Sequence, residues 1–159
     1  MSPEPKYKSR GAVVDTNLVL LLVVGTYNIE RISGFKRTVQ YTPQDFHLLS
    51  RMLARLDRRV TTPNIVTEAD NLSRQLPENE HDAVSGVLTG LCSSFFEIYE
   101  RTHDATADPL YSKLGLTDCV TMRLAKERHL VITDDFALAN RIQKAGCDAI
   151  NINHIRQFA

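Results

Sequence analysis

Short apolar runs alternate with longer stretches of helical spacing along this chain of 159 residues. Ala12-Val13-Val14 reads as a first buried strand, and the Thr16-Asn17 turn leads into an apolar helix over 17–24. Residues 25–39 show no clear period and read as a loop with some local structure. Thr42-Pro43 is a helix start, with a hydroxyl to accept free amides and a proline at the first helical position. Phe46, Leu48, Leu49, Met52, Leu53 and Leu56 then recur at helical spacing, predicting a helix over 42–56. A short strand over 59–61 follows, and Thr62-Pro63 repeats the start signal for a helix to Leu76. The next helix is predicted over 81–100 from Val84, Val87, Leu88, Leu91, Phe95 and Ile98, and residues 102–114 as a loop. Thr117 is placed as the cap of a helix to Arg128, before a strand over 130–133. A helix over 136–145 ends at Gly146 as a left-handed cap, and a last strand covers 148–152.

Strands alternating with helices predict an α/β domain with a mainly parallel sheet. The length suits one domain over 11–159 behind a flexible terminus at 1–10. Lys and Arg together number 19, as do Asp and Glu, so net charge gives no argument for or against nucleic acid. Cys92, Cys119 and Cys147 lack metal-ligand spacing and read as reduced thiols of a cytoplasmic protein. The polar start lacks a signal-peptide core, and Leu18–Val24 is too short to span a bilayer.

Four carboxylates stand where elements begin or end. Asp15 closes the first strand, Asp118 opens a helix, and Asp135 follows the run Leu130-Val131-Ile132. Glu68 lies on a polar helix face with Asn64 and Asn71, opposite Ile65, Ala69 and Leu72. In a parallel sheet, three of these fall at one rim on topology alone, and Glu68 joins them if its helix leans over that rim. Each acid also has an ordinary role as turn former, helix cap or solvated residue. Of the pair Asp134-Asp135, Asp134 is assigned to capping or to solvent. Clustered, the four would repel one another unless a proton or a cation intervened, and an all-oxygen set suits Mg²⁺ or Mn²⁺.

The segments Val13-Val14-Asp15-Thr16-Asn17, Thr62 to Glu68, Gly115-Leu116-Thr117-Asp118 and Val131 to Phe136 resemble the successive motifs of PIN-domain nucleases. The resemblance covers about residues 11–152. It implies a three-layer α/β/α sandwich and a metal-dependent endoribonuclease, a family that includes toxins of toxin–antitoxin pairs. It also implies Asp15, Glu68, Asp118 and Asp135 as catalytic, metal-binding acids, with Asn17, Thr133 and Asp134 in support. The partners expected are an RNA substrate and an antitoxin-like protein, with dimerisation through helices 42–56 and 81–100. The segments 25–41, 78–82 and 101–114, the last read as a mobile loop, depart from the shorter toxins. With one or two cations, roughly 3.5–4 Å apart if two, the acids would promote in-line attack of water on a phosphodiester.

Arg51, Arg55, Arg58 and Arg59 form a basic stripe that is a candidate track for phosphates, against the alternative of a solvated helix face. Tyr27, Phe35 and Tyr41 are weighed as base-stacking residues against packing, which is preferred; the five histidines are assigned structural roles. The main alternative is a catalytically inactive PIN-like domain that binds RNA or protein. A phosphohydrolase using Asp15 as nucleophile would want a second Asp where Asn17 stands, and a phosphoryl-receiver domain would want acids before the first strand's Asp.

Overall fold

A computed structural model of the chain describes residues 10–156, so the expected loose terminus at 1–10 lies almost wholly outside the described residues. Five strands form one parallel sheet: β1 (Ala12–Val14), β2 (Arg59–Thr61), β3 (Phe96–Glu97), β4 (Leu130–Thr133) and β5 (Ala149–Asn151), in the order β3-β2-β1-β4-β5. Ala12 lies opposite both Arg59 and Leu130, so β1 is the central strand, while Thr133 lies opposite Asn151.

The chain builds outward from β1 in one direction to β2 and β3, then crosses back to β4 and β5. Right-handed crossovers therefore put the two sets of connecting helices on opposite faces, giving three α/β/α layers. The first set is α1 (Thr16–Tyr27), the short α2 (Arg31–Gly34), α3 (Pro43–Ala54), α4 (Pro63–Ser73) and α5 (His81–Ser94). The second comprises α8 (Leu116–Lys126) and α9 (Phe136–Lys144), with short helices α6 (Thr102–Thr106) and α7 (Tyr111–Leu114) before it and α10 (Ile152–Arg156) after it.

Helix α1 has no polar face. Leu18 to Gly25 are all buried, and α1 packs against α2, α3, α4 and α5 at once. A helix apolar all round has no stable place except inside. Gly25 allows that packing, because a Cβ there would stand 2.3 Å from the Phe46 ring of α3. Helix α3 begins with a full capping box, Thr42 bonding the Asp45 amide and Asp45 bonding back to Thr42.

Several boundaries differ from the sequence reading. The helix predicted over 81–100 stops at Ser94, and the chain then adds the edge strand β3 beside β2. Phe95 and Ile98 sustain the apolar spacing past the true end, so the period gives no warning of the change. Residues 102–114 are not a loose loop but two short helices, with Ala105 buried against Cys119 and Val120. Residues 25–41 carry the end of α1 and all of α2, tied down by a two-bond pair from Arg31 to Glu80 at 2.6 and 3.0 Å. Among the described residues no helix is long and apolar enough to cross a membrane.

Candidate active site

The strand order reverses between β1 and β4, and the carboxyl ends of these two strands define a crevice. Asp15 sits at that point. Its amide donates to the Ile132 carbonyl at 3.0 Å, which ties the end of β1 to β4. As N-cap of α1 its Oδ1 accepts from the Thr16 amide at 2.8 Å, while Oδ2 accepts from the Thr133 hydroxyl at 2.5 Å. Both carboxyl oxygens are thus fixed by groups at the ends of the two strands.

Glu68 reaches the same rim from α4. The Thr16 hydroxyl donates to its Oε2 at 3.1 Å and the Thr117 hydroxyl to its Oε1 at 2.5 Å. The glutamate therefore joins the start of α1 to the start of α8, as the leaning helix was expected to do. This overturns the capping role assigned to Thr117. Helix α8 begins two residues earlier than a Thr117 cap would set it, behind Gly115 at φ +82°, and the threonine hydroxyl is spent on Glu68.

Asp118 lies in the first turn of α8, within range of Asp15, Asp135 and Glu68. Among the described residues its carboxyl accepts no hydrogen bond. Burial first, then repulsion from Asp15, Asp135 and Glu68, pushes its pKa up to about 6, with Arg141 as the opposing positive charge. Asp15 is likewise pushed up to about 6, chiefly by burial and further by Asp134 and Asp135, against the lowering bonds from Thr133 and Thr16.

The roles of the adjacent acids after β4 are the reverse of those assigned from sequence. Asp135 is the cap: its Oδ1 accepts from the amides of Ala137 and Leu138 at 2.7 and 3.0 Å, and its side is exposed to solvent. Asp134 turns inward, accepting from Asn17 Nδ2 at 3.2 Å and from the Tyr41 hydroxyl at 2.5 Å. Consecutive residues in a turn point in different directions, and the spacing alone does not say which way each faces. Thr133, fully buried, serves both sides of this turn by donating to Asp15 and accepting from the Asp135 amide at 3.0 Å.

Tyr41 and Phe35 are buried and Tyr27 packs on the core, so packing and not base stacking occupies these rings. Burial and the neighbouring Asp134 raise the Tyr41 hydroxyl's pKa, which keeps it a proton donor to that carboxylate. The basic stripe is not at this rim. Arg59 opens β2 and Arg58 precedes it, at the amino-terminal edge of the parallel sheet, opposite the acids; Arg58 lies over the Phe96 ring at 4.8 Å. Arg51 and Arg55, both exposed, lie where α3 runs toward that same far edge. The cation beside the acids is instead Arg141, half-buried on α9 with its Nε enclosed and without a hydrogen-bond partner. No motif marks it, and only the packing of α8 on α9 brings it to Asp118.

The donors suit a hard divalent cation: carboxylates alone, two of them with pKa values raised chiefly by burial and further by neighbouring acids, with hydroxyls holding them in place. As the side chains stand, no group of three His, Cys, Asp or Glu among the described residues is arranged to hold an ion. Glu68 and Asp15 each accept one hydroxyl or amide bond on both oxygens, which leaves a second lone pair on each oxygen for an ion. Comparison with known proteins names no relative. No protein-family model, no curated protein and no solved structure matches the chain.

Proposed function

We propose that this protein is a PIN-like endoribonuclease that uses Mg²⁺ or Mn²⁺. One observation supports the reading: Asp118, in the first turn of α8, lies within the field of Asp15, Glu68 and Asp135, which come from three other segments of the chain. A folded protein gains no stability from crowding like charges there, and their use is to bind positive charge.

In this reading the four acids would hold the cation, with Asp118 the least committed to other partners and Asp135 contributing the oxygen that does not cap α9. What the cation supplies when bound is charge neutralisation on a phosphodiester oxygen and acidification of the attacking water. Thr133 fixes the rotamer of Asp15, Thr16 and Thr117 fix Glu68, and Asn17 with Tyr41 fixes Asp134 behind them. Arg141 is placed to meet the negative charge that a phosphodiester brings. A cytoplasmic setting goes with this reading and with three free cysteines. A role as a toxin with an antitoxin partner is tested by the reading frame adjacent to the gene, where a small antitoxin-like protein is expected.

The test is cleavage of a panel of single-stranded RNAs with Mg²⁺ or Mn²⁺, comparing wild type with Asp15→Asn and Asp118→Asn. Divalent-dependent cleavage lost in both variants is the expected result; wild-type cleavage no greater than that of Asp15→Asn would overturn the proposal.

A second reading, a catalytically silent PIN-like domain that binds RNA or protein, draws on the hydroxyl and amide donors that already engage both oxygens of Asp15 and of Glu68. Calorimetric titration with Mn²⁺ separates the two. Binding that disappears in Asp118→Asn supports the enzyme, and no binding by wild type supports the silent domain.

A further inference from the structure

We infer that Phe136, backed by His154, is a stacking subsite for an unpaired nucleobase next to the acids; this rests on the nuclease reading above. Helix α9 buries Leu138, Ala139 and Ile142, and Phe136 is not part of that face. Its side chain is 50% exposed, although it stands between the capping Asp135 and a buried helix face. A large aromatic ring left open at a helix start is not explained by packing. Its ring neighbour is His154, at 5.2 Å between centroids and tilted by 57°.

The placement matters more than the exposure. Phe136 follows β4 and His154 follows β5, so the ring pair lies above the carboxyl ends of two neighbouring strands. Asp15 closes β1, on the other side of β4. Adjacent strands are about 4.8 Å apart, so β4 and β5 end one and two such spacings from the end of β1 that carries Asp15, on the scale of one or two nucleotides. Asn153, next to His154, donates to the Asp134 carbonyl at 2.9 Å and couples α10 to the turn that carries the acids. A nucleobase offers a flat π-face to such a ring, and stacking of this kind serves single strands whose bases are unpaired. A protein partner would instead favour a broad apolar patch, whereas Phe136 has a histidine for its ring neighbour.

The chain contains no tryptophan, so Phe136→Trp introduces a lone fluorophore at the subsite. The probe is a short single-stranded oligoribonucleotide in Mg²⁺, compared with a strand of equal length and charge made of abasic residues. Quenching by the first strand, read in the seconds after mixing, with little or none by the second, is expected. In parallel, Phe136→Ala should bind a fluorescein-labelled strand about tenfold or more weakly, while Phe136→Tyr stays near wild type. Circular dichroism of each variant confirms folding, and if the tryptophan variant fails to fold the alanine and tyrosine pair decide. Equal response to both strands, unchanged binding by Phe136→Ala, or a tryptophan signal that follows protein concentration and not RNA would each overturn the inference. Cleavage by wild type without base-dependent quenching removes the subsite and leaves the nuclease; quenching without cleavage does the reverse.

Discussion

Asp118 feels three neighbouring carboxylates and has one opposing cation, Arg141. In the folded protein Asp15 and Asp118 keep their protons up to about pH 6, against an ordinary value of 3.8. Between those values the folded chain binds more protons than the unfolded one, so the contribution of these groups to stability falls as pH rises through that window and stays low above it. Asp118→Asn should therefore stabilise the metal-free protein at pH 7 by about 1 kcal/mol, less than the full shift implies because the carboxyl is partly solvated. Urea midpoints in EDTA check this: the gain should be present at pH 7 and gone near pH 4. Thr133→Val acts in the opposite direction. It keeps the shape but removes the donor to Asp15 and the acceptor for the Asp135 amide, and is expected to cost about 1–3 kcal/mol by the same measurement. At this scale the sequence singles out Asp15 and Asp118, which stand at element ends, and Glu68, which lies mid-helix on α4. It does not disclose what each atom does. Thr117 looks like a cap and is a clamp on Glu68; Asp134 looks like a cap and faces inward; Arg141 looks like any helix cation.

Elements were legible where the signal was local. Thr42-Pro43 and Thr62-Pro63 mark the starts of α3 and α4, strand β2 spans the residues expected, and Gly146 has the left-handed φ of +75° read from the sequence. Strand β3 was hidden because it is two residues long, exposed, and continuous with a helical apolar spacing. The small helix α10 was hidden for another reason: its place depends on contacts remote in sequence. Arg156 Nε donates to Asp45 Oδ1 at 2.6 Å, and its guanidinium lies 5.3 Å from the centre of the Tyr41 ring. Asp45 is only 5% exposed, so removing its cation leaves a buried charge held by the capping box alone. Arg156→Ala should cost about 2 kcal/mol or more, read as a lowered urea midpoint, with Arg156→Lys recovering part of the loss.

Across the whole molecule, alternation of strands and helices was enough to name the α/β class. The strand order was not contained in it. That order decides which acids become neighbours, while the shared direction of the strands leaves Arg58 and Arg59 at the opposite edge of the sheet. If the acid cluster takes a divalent cation, Mg²⁺ or Mn²⁺ should raise the melting temperature in proportion to ln(1 + [M]/Kd), and the rise should be absent in Asp118→Asn. A wild type whose melting temperature ignores both ions would speak for the silent domain. One further consequence comes from the helix with no polar side. Because α1 touches four other helices and follows directly from the central strand, its amide protons cannot meet solvent until those layers separate. In native-state deuterium exchange, amides of 20–24 should exchange only through global opening, with a protection energy equal to that from denaturant. Asp15 is the cap of that helix, so the acid cluster is anchored to the slowest-opening part of the chain and should survive any partial melting that frees α6, α7 or α10.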